Sequence, residues 1–215
     1  MLRVRNNNLS ATLEAFSRSP IPWDSSNLRS IAKLALEKFG KYNLGANQVR
    51  QRVGDLLFDY DLSFFLFNYQ AQVRFQADRL FVNVQNARGK QDAEILVDTL
   101  IRAAECLGPD AIERFTFQAM SHAAFDEEVG GQGFFAAFVD PANHITEGGR
   151  ILAVRHDGWP APVRVIVEKS LVVKDGAFLT WFTEQTGPIA LEAFKQIADK
   201  FVISARSLGL EFRFE

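Results

Sequence analysis

The chain has 215 residues, a formal net charge of −2 and a hydrophobic fraction of 47%. That is enough apolar material for a sizeable core without staples, and too little net charge for a global field that draws in nucleic acid or anionic lipid. The single cysteine, Cys106, excludes an internal disulfide, and no run approaches the roughly 20 apolar residues of a membrane-spanning helix, so a soluble, cytoplasmic protein with no membrane partner is expected.

Residues 1–24 carry scattered apolar groups, Leu9, Leu13 and Phe16, before Ser19-Pro20-Ile21-Pro22-Trp23. The two prolines favour an extended path, and the stretch reads as an N-terminal arm crossing the surface, pinned by Trp23 to its own domain or to a partner. From Asn27 to Phe39 the apolar residues Leu28, Ile31, Ala35 and Phe39 recur at helical spacing, and Gly40 stops the run.

The period changes to two from Asp55 onward. Phe58, Tyr60, Leu62, Phe64 and Leu66 then share one face of a long strand, opposite Asp59, Asp61 and Ser63. Two carboxylates on one face have the spacing of a divalent-cation pair, but no third ligand stands near them in sequence, and a solvated outer face that discourages edge pairing is the favoured account. Strands follow at 71–77 and 80–85, then a helix capped by Asp92 and stopped by Gly108-Pro109. Ile112 to Phe125 alternates again, with Phe115, Phe117 and Ala119 set against Arg114, Gln118 and His122.

Asp126 to Gly133 is acidic and glycine-rich and reads as a connector between halves. Its Gly130-Gly131-Gln132-Gly133 fails as a phosphate cradle, because a strand pattern rather than a helix follows it. Strands are expected near 134–139 and 151–156. Pro162 to Val173 and Ala177 to Glu184 form a hairpin around a two-residue turn at Asp175-Gly176. A helix from Thr186-Gly187-Pro188 to Leu208, ended by Gly209, leads to a closing strand at 210–214.

Residues 73–117 and 163–214 thus share one order: strand, turn, strand, helix, strand. The fold class is α+β, a mostly antiparallel sheet or sheets packed by helices in two similar halves. The divisions are an arm at 1–24, an N-terminal half at 25–128 and a C-terminal half at 129–215, the halves being separate or one continuous domain.

The catalytic inventory is thin. There is no Gly-x-Ser-x-Gly elbow, the three histidines lack metal-ligand spacing, and no cofactor motif stands out, so neither metal nor cofactor is expected. The candidate binding residues are Trp23 on the arm, His122 on a polar strand face, and Arg155, His156 and Trp159 around a turn able to hold an anion or a stacked ring. With 20 phenylalanines in the chain, the leading expectation is a non-catalytic binding or assembly component that meets a protein partner or a second copy of itself. A small-molecule binder or enzyme with a pocket near His122 and His156 is the alternative. A nucleic-acid-binding sheet is the third.

Overall fold

The computed structural model describes residues 1–20, 25–56, 58–126, 130–138, 148–157, 159–187 and 195–214. Ten strands form one sheet: β1 (Leu2–Ser17), β2 (Val49–Val53), β3 (Tyr60–Leu66), β4 (Ala71–Gln76), β5 (Arg79–Ala87), β6 (Ile112–Phe125), β7 (Arg150–Val154), β8 (Val163–Lys169), β9 (Ala177–Thr186) and β10 (Leu210–Arg213). The order is β2-β3-β4-β5-β1-β6-β9-β8-β7, with β10 added beside β1. Neighbours run antiparallel except β1 and β10. Four helices are seen among the described residues: α1 (Ser25–Phe39), α2 (Lys90–Leu107), α3 (Gly130–Ala136) and α4 (Ile197–Ser207). The α+β class is as expected, and the strands of both halves lie in one continuous sheet, where β6 of the N-terminal half pairs with β9 of the C-terminal half. None of these helices is long and apolar enough to cross a membrane.

Alternation decides which face is covered. Leu9, Ala11, Leu13 and Ala15 of β1, Phe115 and Phe117 of β6, Val82 of β5 and Trp181 of β9 are buried beneath the helices. Helix α2 lies against β5 and β1, α1 packs on α2, and α4 packs on β10 and α2. Helix α3 gathers Phe134 and Phe135 around Phe125 at the end of β6. The opposite face carries the alternate residues, most of them half-exposed, and no described helix lies over it.

Residues 2–17, expected as a surface arm, are instead the strand at the centre of the sheet. The alternation from Leu9 to Ala15 was present, but half of its inward residues are alanines, which give little apolar signal. Asn6-Asn7-Asn8 breaks the pattern, and the structure makes the break useful. The register shifts between Asn6 and Asn8, so inward parity passes from Val4 and Asn6 to Leu9 and Ala11. At this bulge β1 changes neighbour: residues 2–5 pair with β10, and residues 9–16 pair with β5. Asn6 is buried there and fully employed. Its Nδ2 donates to the carbonyls of Ala87 (3.0 Å) and Arg88 (2.7 Å), and its Oδ1 accepts the Ser121 hydroxyl at 2.8 Å.

Four other expectations change. Strand β2 went unforeseen, because Val49-Arg-Gln-Arg-Val53 is an exposed edge strand that buries almost nothing. Asp59 and Asp61 share no strand face, since Asp59 sits in the turn where its carbonyl accepts the Gly54 N–H at 2.6 Å, while Asp61 pairs with Arg74. The hairpin is real but its turn is longer: β8 ends at Lys169, because the Ser170 hydroxyl accepts the N–H groups of Val172 (3.1 Å) and Val173 (2.9 Å) and turns the chain early. Finally, Gly130–Ala136 is helix rather than connector and strand. Gly131 packs so closely under the β8–β9 loop that a Cβ there would stand 2.1 Å from the Asp175 carbonyl. Trp23, and the expected helix start at Pro188, lie outside the described residues.

Candidate functional site

His122 projects from β6 onto the helix-free face. Its ring lies 4.7 Å from that of Phe178 on β9, tilted by 31°, and its Nδ1 is 2.9 Å from Ser170 Oγ. Ser170 already accepts two backbone N–H groups, so both its lone pairs are engaged and its one proton goes to Nδ1. His122 therefore carries its ring hydrogen on Nε2, away from Ser170.

The strands place apolar groups around this donor. Met120 pairs across the sheet with Thr180, then Ile166, then Ile151 on the edge strand, where Ile151 is 67% exposed. Phe182 stands in the next row, between Gln118 and Arg164. Leu171 and Val172, at the tip of the β8–β9 loop held by Ser170, are exposed as well, Leu171 at 98%. The result is a mixed surface in which Met120, Ile166, Phe178 and Phe182 are interspersed with Thr180 and flanked by Gln118, Arg164 and the oriented His122 ring.

Toward β5 the same face changes character. Phe16 lies in register between Arg79 and Arg114, whose guanidinium carbons stand 5.5 Å and 3.8 Å from its ring centre. Arg79 also meets Glu14 at 2.9 Å, and Arg114 meets Glu184 at 3.9 Å. Aromatic and basic groups do interleave here, more than their separation in sequence indicated, yet these cations are matched by carboxylates.

His156 and Trp159 are brought together elsewhere, on the covered face between β9 and α4. Trp159 is buried with its ring 5.4 Å from Trp181 and 5.9 Å from Phe115. His156 Nε2 lies 2.9 Å from Ser204 Oγ, which also accepts Trp181 Nε1–H at 3.1 Å and donates to the Lys200 carbonyl at 2.7 Å. With its proton committed to that carbonyl, Ser204 receives hydrogens from both rings, and His156 cannot act on it as a base. Lys200 is only 6% exposed, and its Nζ donates to the Asp157 carbonyl at 2.9 Å. Burial lowers the pKa of Lys200, against a smaller raising effect of Asp157. Gln185 closes the cluster by accepting the Ala161 N–H at 2.7 Å and donating to its carbonyl at 2.9 Å. Arg155 is exposed beside this group and joins neither site.

Ser170, Ser204, Trp181 and Lys200 were not singled out in sequence, since each acquires its role from a partner some 20 to 50 positions away. An apolar cavity of about 20 Å³ lies beneath Trp181, lined also by Leu9, Phe117, Leu96 and Phe201. It is too small for an organic ligand and too apolar to favour a water. Burial pushes the Cys106 thiol up to about 12, so it stays protonated and unreactive at neutral pH. Among the described residues, no three of His, Cys, Asp and Glu gather as metal ligands.

No family model matches the chain, and no curated protein matches it.

Proposed function

We propose that the protein is a non-catalytic binding component that receives a protein partner on the helix-free face of its sheet, around His122. The observation that carries this reading is the row of half-buried Met120, Phe178, Phe182 and Ile166, continued by the exposed Ile151 on the edge strand, on the sheet face that no described helix covers. Burying a fully exposed side chain of this kind contributes about 1.5–3 kcal/mol; the half-buried residues have less surface left to lose, so several of them, with the exposed Ile151, must act together to offset the cost of association. His122 Nε2–H supplies a fixed donor that would set the register of whatever docks. The covered-face cluster supports the non-catalytic side of the reading, since its serine, histidine and lysine are occupied with one another and with backbone carbonyls.

Affinity purification from the native cell at near-physiological salt tests it, with unmodified protein compared against Phe182→Asp and Ile166→Asp. The expected result is a partner recovered with the unmodified chain and lost with both variants. A strict monomer by light scattering, with no protein recovered in a Phe182-dependent way, would overturn the reading.

A further inference from the structure

At the other end of the sheet, strand β2 is an edge, and only β3 pairs with it among the described residues. Arg50, Gln51, Arg52 and Val53 are all exposed. Arg50 and Arg52 share the helix-free face, opposite Ser63 and Asp61 of β3. Asp61 is taken by Arg74, and no carboxylate among the described residues forms an ion pair with Arg50 or Arg52. This sets them apart from Arg74, Arg79 and Arg114, each of which has an acidic partner on the same face. The Arg50 guanidinium lies over the rings of Phe65 and Tyr69, 4.9 Å and 5.8 Å from their centres, which biases it toward this place before any ligand arrives. The same corner also exposes apolar groups: Val53 ends the strand, Leu56 (74% exposed) and Phe58 (50%) lie in the turn that follows, and Tyr69 stands at the next turn.

We propose that β2 is a second docking site, which takes an extended acidic segment of a partner protein as an added strand. The edge offers a row of main-chain donors and acceptors, and strand addition uses these for affinity and alternate side chains for specificity. A segment with carboxylates at every second residue places them on the face of Arg50 and Arg52, and its intervening apolar residues fall on the other face, that of Val49, Gln51 and Val53. A second copy of the chain is a poor occupant. In a two-fold antiparallel pairing centred on Gln51, Arg50 of one copy would face Arg52 of the other, and like charges directly opposite are destabilising. Charge on an edge strand discourages its own kind and admits the opposite kind. This site is separate from the His122 patch and does not depend on it.

The probe is a fluorescently labelled synthetic peptide alternating glutamate and valine, titrated into the full chain and read by anisotropy. Three comparisons accompany it: the same peptide with lysine for glutamate, the glutamate peptide N-methylated at alternate backbone nitrogens, and a single-stranded oligothymidine. The glutamate peptide is expected to bind, the lysine and N-methylated peptides to lose roughly tenfold or more in affinity, and R50E/R52E to reverse the preference between glutamate and lysine. Absence of glutamate-peptide binding overturns the proposal. So does an N-methylated peptide that binds equally well, since charge alone would then account for the contact, or an oligothymidine that binds more tightly than the peptide in an Arg50-dependent way. The N-methylated comparison uses the unmodified chain, so the outcome does not hinge on the variant folding. Binding here with no effect of Phe182→Asp leaves the two surfaces independently decided.

Discussion

His156 Nε2 and Ser204 Oγ stand 2.9 Å apart, joining the segment after β7 to helix α4 across 48 residues. Ser204 is fully buried and accepts from Trp181 as well. Ser204→Ala removes the acceptor for two ring donors while changing volume little. Its expected cost is about 2–3 kcal/mol in urea unfolding, because an unsatisfied buried donor costs more than a hydrogen bond contributes. Trp181 fluorescence should report a loosened environment in the same variant. An unchanged midpoint would mean the rings find other acceptors.

The same histidine gives the fold a pH dependence. Burial lowers the pKa of His156 below its ordinary value, the Lys200 charge lowers it further, and Asp157 opposes them. A histidine with a depressed folded pKa binds its proton more readily when unfolded. Stability is therefore full above about pH 6.5 and declines as pH falls through that region toward the lower folded value. Urea midpoints measured between pH 7.5 and about 5 should fall in the unmodified chain and fall less in His156→Gln.

Asp98 adds a second, more acidic step. Burial tends to raise its pKa, but hydrogen bonds from Arg102, Lys41 and Tyr42 outweigh burial and hold it at about 2. Stability from this carboxylate is present above its unfolded value near 3.9 and lost as pH falls toward 2. Asp98→Asn should flatten the acid limb of the unfolding profile below about pH 4, with little effect on the histidine-dependent step at higher pH.

Asn6 tests the bulge. Asn6→Ala strands the Ser121 hydroxyl and leaves the Ala87 and Arg88 carbonyls without their donor, at a cost of about 1–3 kcal/mol. Asn6→Asp should cost more, since it sets carboxylate oxygens against those two carbonyls. Denaturant titration of both variants checks the order, and an aspartate variant as stable as the asparagine would contradict the geometry.

Two glycines three positions or fewer into α3 should respond with opposite signs. Gly133 has nothing within 4 Å of an added Cβ, so Gly133→Ala should stabilise the protein by up to about 1 kcal/mol through helix propensity. Gly131 faces the Asp175 carbonyl, and Gly131→Ala should destabilise by about 1–3 kcal/mol despite the same propensity gain. Thermal unfolding of the pair separates contact from propensity.

Much of the sheet was legible because burial on one face writes a period of two into the sequence. The runs that became β6, β4, β5 and β9 carry large apolar residues at alternate positions, and α1 and α2 carry them at helical spacing. What escaped did so for identifiable reasons. β1 fills its inward positions partly with alanine and breaks its parity at a bulge, while β2 has almost nothing to bury. In α3, tertiary packing under the β8–β9 loop overrides the poor helix propensity of three glycines. His122 stood out on the polar face of its strand, and His156 and Trp159 beside Arg155 at a turn. Their separation into an open patch and a closed cluster depended on Ser170 and Ser204, whose neighbours in sequence give no hint of a histidine.

The place of β1 has a consequence for how the chain comes off the ribosome. It is made before every strand that pairs with it, and it waits for residues 79–87, 112–125 and 210–213 in turn. Through that interval the future middle of the sheet has two unpaired edges and an apolar side, the kind of segment that aggregates or engages a chaperone. The three asparagines at its bulge interrupt the apolar alternation during that exposure, so the irregularity that lets two strands share one side of β1 also keeps the nascent strand from being a continuous template.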